Sequence, residues 1–275
     1  MEYKLQRLMH LRYPGFKVKA LTLSYDDGRD FDRQMVEILD KYGIRCTFNL
    51  NSGNLGKERY VTAEEVPTLY KNHEVAVHTL NHPSLENLNS GSICYQIIQD
   101  RKNLEDILHH PVQGMAYPNG LKEYPGLVEA VGTCGIRYAR TTVASHNFAL
   151  PLDYLRWNPT CKFNDPQLDE LMVKFLNPVE PTPAWRNPAK LLYIWGHSFE
   201  YADNWSPLEA MCQKLSGNDK VWYATNGEII DYLAAFRSLR PTVDGRYVYN
   251  PTDKEIYVCA NEQNITLHPG TVTDL

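Results

Sequence analysis

The chain has 275 residues, of which 43% are hydrophobic, so it can bury either one large core or two smaller ones. Its formal net charge of −5 and isoelectric point near 6.0 exclude the basic surface that nucleic-acid binding or docking on an anionic membrane requires. No segment approaches the about 20 apolar residues that span a bilayer, and the N-terminus contains no signal-peptide core. We therefore expect a soluble protein, cytoplasmic as the sequence stands and periplasmic or secreted if a leader has been removed; composition does not fix the oligomeric state.

Short β-rich runs alternate with helical periodicity from Phe16 to Leu239, which is typical of βα units. The predicted strands are 16–25, 44–50, 73–77, 112–117, 136–140, 191–195 and 220–225. The predicted helices are 30–43, 61–72, 91–110, a short segment around 127–131, 165–177, 206–217 and 225–239. Seven strands with intervening helices predict a deformed parallel (β/α) barrel, with an open doubly wound sheet as the alternative.

The pattern of hydrophobic and polar residues changes after Arg240. Three short strand patterns, RYVYN, EIYVC and NITL, are broken by polar turns, and no helical periodicity accompanies them. We predict a catalytic barrel over residues 1–239 and a small β-rich appendage over residues 240–275.

Polar residues follow four of the predicted strands. They are Asp26 and Asp27 after the first, His78 and His82 after the third, Tyr117 and Asn119 after the fourth, and His197 after the sixth. The carboxyl ends of parallel strands share one rim, and sites in such folds are built on that rim. The sequence therefore predicts that these side chains gather at one site.

The two histidines of HTLNH are four residues apart, a spacing that one helical turn or a tight loop can bring to a single metal ion. Two imidazoles and one carboxylate leave positions for water and substrate, as in a catalytic Zn²⁺ site. One aspartate of the Asp26–Asp27 pair can complete this set, while the other, which points differently on an extended chain, can accept a proton from the metal-bound water. His197 on the same rim is suited to be the general acid.

The motifs LSYDDG, HTLNHP, AYPNG and YIWGH resemble, in order and spacing, those of the polysaccharide deacetylases, also called carbohydrate esterase family four or the NodB-homology domain. The resemblance extends from about Lys17 to Leu233. It implies a deformed (β/α) barrel that uses a divalent metal, zinc in the first place with Co²⁺ or Ni²⁺ as alternatives, to remove N-acetyl or O-acetyl groups from glycans.

Carried over by position, the resemblance implies a role for each site residue. Asp26 would be the catalytic base and His197 the general acid, while Asp27, His78 and His82 would hold the metal. The oxyanion contact would come from a backbone N–H at Asn119 or its neighbour, beside Tyr117.

The sequence departs from the family pattern in two places. Ala116 stands where the family often has an arginine that orients the base, and we expect Arg156 to replace it. The family's Asp-Trp pair, which lines the pocket, is matched only by Trp157.

The leading interpretation is a metal-dependent hydrolase that removes N-acetyl groups from a glycan by attack of a metal-bound water. An amidohydrolase acting on a small non-sugar amide is an alternative, because fold and metal do not fix the substrate. A third interpretation is a non-catalytic glycan-binding protein on a degenerate deacetylase scaffold.

Overall fold

The computed structural model describes residues 9–122, 125–178 and 183–275. One parallel sheet forms its centre. Its strands are β2 (Lys19–Asp27), β3 (Cys46–Leu50), β4 (Glu74–Val77), β5 (Gly114–Ala116), β6 (Tyr138–Arg140), β7 (Cys161–Lys162), β8 (Lys190–His197) and β9 (Val221–Tyr223). The remaining strands are β1 (Met9–Arg12), β10 (Arg240–Pro241), β11 (Tyr247–Tyr249), β12 (Ile256–Ala260), β13 (Gln263–Leu267) and β14 (Val272–Asp274).

The central sheet curls into an incomplete barrel in the order β6-β5-β4-β3-β2-β8-β7, and β9 pairs beside the start of β2. Its pairings are all parallel, which confirms the predicted fold class. The residues between the edge strands β6 and β7 narrow the opening of the incomplete barrel. Trp157 forms a parallel bridge with Arg140, and the Thr160 N–H donates to the Tyr193 carbonyl. Strand β7 is not among the predicted strands, because its two residues are too short to give a pattern.

Helices cover the outside of the sheet. They are α1 (Asp32–Lys41), α2 (Val66–Leu69), α3 (Ser90–Leu108), α4 (Leu127–Thr133), α5 (Leu168–Leu176), α6 (Ser206–Leu215) and α7 (Asn226–Arg237). α2 is shorter than the predicted helix over residues 61–72. The Glu65 carboxylate does accept the Thr62 N–H at 2.8 Å, but it also pairs with Arg33, and the helix begins only after it.

The side chains of strand β2 alternate between an apolar face and a polar face. Leu21, Leu23 and Tyr25 belong to the large apolar cluster that packs against the helices. Thr22 bonds to Asn226 at the start of α7, and Ser24 accepts from Asn49. Because side chains alternate along a strand, this polar row extends to the next residue of the same face, Asp26.

The C-terminal strands form two small antiparallel sheets, β1-β12-β13 and β10-β11-β14. Strand β1, from the opposite end of the chain, pairs with β12 over Met9–Arg12. The sheet thus draws on residues that the predicted division assigned to the barrel, and the division at residue 239 stays a prediction. Among the described residues, no helix combines the length and apolar character needed to cross a membrane.

Candidate active site

The rim at the carboxyl end of the sheet carries the predicted cluster. Asp26 lies in register with Asn49 on one neighbouring strand and with His197 on the other. The carboxylate Oδ2 of Asp26 is 4.0 Å from Nε2 of His197 and 3.9 Å from Nε2 of His78. The structure therefore brings together residues that are up to 171 positions apart, as the parallel-strand argument predicted.

The backbone turns sharply at Asp27, and this turn corrects a simple reading of the Asp26–Asp27 pair. Alternation alone would send the two carboxylates to opposite faces, but Asp27 has φ 84° and Gly28 has φ 67°. A side chain at position 28 would also meet Leu50, whose Cδ2 would lie 2.9 Å from the added Cβ. The left-handed turn brings both carboxylates towards His78 while they keep different partners.

His78 is held in an orientation that leaves one ring nitrogen for a ligand. Nδ1 lies 2.8 Å from the carbonyl oxygen of Ala116, so it carries the proton. Nε2 is buried and has no hydrogen-bond partner in the part of the chain that the structure describes. Burial lowers the pKa of His78, more than the nearby carboxylates raise it, and so favours the neutral ring that binds a metal.

His82 lies beside His78 because of a loop, not because of a helical turn. Its φ of 59° is left-handed, and the loop before it is fixed by the Asn51 amide, which donates to the carbonyls of His78 and Thr79 at 2.5 and 2.8 Å. Oδ1 of Asp27 is 3.6 Å from Nε2 of each histidine. One ligand atom from each of the three residues lies within 4.8 Å of the other two, so the group could hold a divalent metal. The unpartnered Nε2 of His78 fits that use, because a buried nitrogen without a partner is costly unless something binds it.

Asp26 is held apart from this group by other donors. Its Oδ1 accepts from the Asn49 amide at 2.8 Å, and its Oδ2 is bound by the guanidinium of Arg140, which is fully buried. Burial alone would raise the pKa of Asp26, but Arg140, His78 and His197 outweigh it and hold the pKa below its ordinary value. Asp26 is therefore ionised at neutral pH and suited to accept a proton.

The guanidinium that orients Asp26 comes from Arg140, and the expectation that Arg156 would do so is corrected. Arg156 lies at the surface and pairs with Asp153 at 2.7 Å. Arg140 ends β6 in register with Ala116 on β5, so the arginine stands one strand away from the family position. It also packs over the ring of Trp195, at 4.3 Å from the ring centroid. The signal that could have identified it is its place at the end of a predicted strand on the same rim.

The remaining predicted residues are not all exposed at the rim. Trp157 is 2% exposed and packs between Tyr138 and Tyr193, with ring centroids 5.7 and 4.7 Å away, so it does not line an open pocket. Tyr117 is also buried, and its hydroxyl donates to the carbonyl of Leu155. Asn119 lies in the loop after β5 with φ 59° and donates from its amide to Ser84 at 3.0 Å.

His197 has a carboxylate partner, Glu200, in the loop that follows β8. Oε2 of Glu200 accepts from both the backbone N–H and Nδ1 of His197, at 3.0 and 2.9 Å, and its other oxygen binds Lys162 at 2.6 Å. This fixes the ring so that Nε2 faces Asp26. Burial lowers the pKa of His197, but Glu200 and the two aspartates outweigh it, so the pKa lies above its ordinary value.

We predict that Glu200→Gln lowers the kcat of the acetate release implied by the resemblance by about 10-fold, a part of the 10²- to 10⁴-fold expected of His197 as general acid. The loss of the negative charge lowers the pKa of His197, so the basic limb of the kcat profile moves to lower pH. Glu209→Gln, which removes an exposed glutamate paired with Lys41, is the matched control. A basic limb that stays in place would show that Glu200 does not act on His197.

Comparison with known proteins finds the same resemblance over part of the chain. The sequence model described as polysaccharide deacetylase matches residues 14–139. A chitin deacetylase of Arthroderma benhamiae is 32% identical over 97 residues, which are 34% of this chain and 25% of that protein. The resemblance to the polysaccharide deacetylase family is thereby confirmed. The matched segment contains Asp26, Asp27, His78 and His82, whereas Arg140 and His197 lie beyond it.

Solved structures of deacetylases share the fold. A putative polysaccharide deacetylase from Mycobacterium smegmatis superposes with a TM-score of 0.60 at 15% identity, covering 87% of this chain and 100% of that chain. A carbohydrate esterase family four pseudoenzyme from Bacillus anthracis superposes with a TM-score of 0.51 at 19% identity, covering 81% of this chain and 68% of that chain. The curated relatives are longer proteins, of which this chain matches between 20% and 37%.

Proposed function

We propose that the protein is a metal-dependent deacetylase that hydrolyses acetyl groups, N-acetyl in the first place, on a glycan. The observation that carries the proposal is the arrangement of Asp26 and His197 beside the Asp27–His78–His82 group, with each held by partners suited to a different task. A bound divalent metal, zinc in the first place, would polarise the acetyl carbonyl and lower the pKa of a coordinated water.

Asp26 acts as the base in this proposal. Asn49 and Arg140 hold its carboxylate in one orientation and keep it ionised, so that it can take a proton from the attacking water. His197 then gives a proton from Nε2 to the leaving nitrogen, since Glu200 fixes Nδ1 on the other side of the ring. The left-handed loop at Asn119 follows β5 on the same rim and supports a backbone N–H contact to the developing oxyanion.

The alternative of a non-catalytic glycan-binding protein becomes weaker in view of Arg140. The absence of an arginine at position 116 argues mildly for this alternative, but the Arg140 guanidinium reaches Asp26 from the neighbouring strand. We assign the acetylated glycan as substrate over a small non-sugar amide on the family match and include simple amides in the test.

The test measures bound metal and the release of acetate. We expect the metal-loaded protein to release acetate from acetylated chito-oligosaccharides, to lose this activity to background on chelation, and to regain it with Zn²⁺ or Co²⁺. Asp27→Ala is expected to lose the metal and the activity together, because it removes the carboxylate that faces both histidines.

Asp40→Ala, which removes a partly exposed carboxylate near His73, is the control and should keep both metal and activity. Metal-loaded protein that releases no acetate from glycans or amides would contradict the proposal and favour a binding role. Activity that survives chelation and complete metal loss would contradict the metal dependence.

A further inference from the structure

The loop after β2 places an arginine on the rim, two residues beyond Asp27. The guanidinium carbon of Arg29 lies 4.5 Å from the ring centroid of Tyr60 and 5.6 Å from that of Phe199. Its Nη1 also donates to the Tyr60 hydroxyl at 3.1 Å. The side chain is therefore held between two aromatic rings in a defined position.

The positive charge of Arg29 is not matched by a carboxylate. Among residues 9–122, 125–178 and 183–275, no acidic group lies within ion-pair distance of it, and its Nε is buried without a hydrogen-bond partner. The other cations of this rim, Arg140 and Lys162, are paired with Asp26 and Glu200. Arg29 is only partly buried, so an anion from outside the chain can supply the missing counter-charge.

Arg29 lies close to the proposed chemistry. The ring of Phe199 is 5.0 Å from that of His197, and Phe199 is 37% exposed, so one aromatic ring separates the guanidinium from the imidazole. A partly exposed aromatic ring beside His197 can pack against the apolar surface of a sugar. Because the ring of Phe199 lies between Arg29 and His197, we expect Arg29 to face a neighbouring sugar unit rather than the reacting acetyl group.

We propose that Arg29 and Phe199 form a subsite for a negatively charged sugar next to the acetylated one, so that the substrate is an acidic acetylated glycan. This inference rests on the proposed deacetylase function. The guanidinium is planar, weakly hydrated and able to bind a carboxylate or phosphate through two parallel hydrogen bonds, and Phe199 would hold the ring of the same sugar.

The experiment compares kcat/KM for two oligosaccharides of equal length. One contains only N-acetylglucosamine, and in the other N-acetylglucosamine alternates with glucuronic acid; a third, with phosphate in place of the carboxylate, distinguishes the two anions. We expect the wild-type protein to prefer an acidic substrate, and Arg29→Gln to lower the acidic-to-neutral ratio by about 10- to 100-fold, through KM. Arg29→Lys should retain part of the preference, because it keeps the charge but not the planar fork.

Arg59→Gln is the matched control, because Arg59 is an exposed arginine that packs over a different ring, that of Phe31. We expect this substitution to leave the acidic-to-neutral ratio unchanged. An equal loss on acidic and neutral substrates in Arg29→Gln would overturn the subsite and leave Arg29 a purely structural residue.

Binding measured by calorimetry separates this inference from the proposed function. If wild-type protein releases no acetate from any of the three substrates, the deacetylase proposal fails, whereas tighter binding of the acidic oligosaccharide that disappears in Arg29→Gln would still support the subsite. Equal binding of acidic and neutral oligosaccharides by the wild-type protein would overturn the proposed subsite.

Discussion

Asp26→Asn is expected to lower kcat by about 10²- to 10⁴-fold while the bound metal stays in place. The reason lies in the different partners of the two aspartates. Asp27 faces both histidines at 3.6 Å, whereas Asp26 is bound by Asn49 and Arg140 and lies outside the candidate ligand group. The amide therefore removes the proton acceptor and leaves the ligands unchanged.

The same substitution is expected to destabilise the fold. Both oxygens of Asp26 face donors, so an amide NH₂ at position 26 meets either the Asn49 amide or the Arg140 guanidinium, and Arg140 loses its buried counter-charge. Activity should accordingly be measured below the thermal transition, with folding checked by circular dichroism and metal content by elemental analysis.

Asp32→Asn provides the matched control for Asp26→Asn. Asp32 is a second fully buried aspartate, whose pKa burial raises to about 7, and it accepts the Tyr70 hydroxyl at 2.7 Å outside the ligand group. We expect this variant to keep most of its turnover. Wild-type turnover in Asp26→Asn would show that another group is the base.

Arg140→Met is expected to reduce the free energy of unfolding by about 3–5 kcal/mol at neutral pH, because it leaves the buried Asp26 carboxylate without its partner. Methionine keeps part of the apolar contact with Trp195 but cannot neutralise the charge. Chemical denaturation of metal-free protein measures this loss without a contribution from metal binding.

The loss of unfolding free energy in Arg140→Met depends on pH in a definite direction. The pKa of Asp26 in the folded protein is lowered, so the contribution of the pair is present above the unfolded pKa of about 3.9 and is lost as pH falls through the folded value. The stability difference between wild type and Arg140→Met should therefore be largest near neutral pH and shrink in acid. In the variant burial raises the pKa of Asp26, so the acidic limb of kcat/KM should move to higher pH.

Arg137→Met is the control for Arg140→Met. Arg137 pairs with Asp231 at the surface, and both side chains are more than a third exposed, so its removal should cost at most about 1 kcal/mol. Equal stability losses in the two variants, or an unchanged acidic limb in Arg140→Met, would contradict the role assigned to Arg140.

The fold and much of the candidate site could be predicted because both follow from local pattern. Each of the seven strands predicted from hydrophobic periodicity is present, and the rule that parallel strands share a rim predicts that Asp26, His78 and His197 lie together. Strands that are very short or pair far along the chain, such as β7 and β1, gave no such signal.

The sequence by itself determined which residues reach the rim, because strand order along the chain and the polar residues after each strand are local properties. Only the tertiary structure decided their partners. Arg140 meets Asp26 across 114 residues because the curl of the sheet brings β6 opposite β2, and Trp157 is buried because its segment turns into the gap between the edge strands. The different tasks that we propose for Asp26 and Asp27 likewise depend on one left-handed backbone angle, at Asp27, that alternation along an extended strand does not predict.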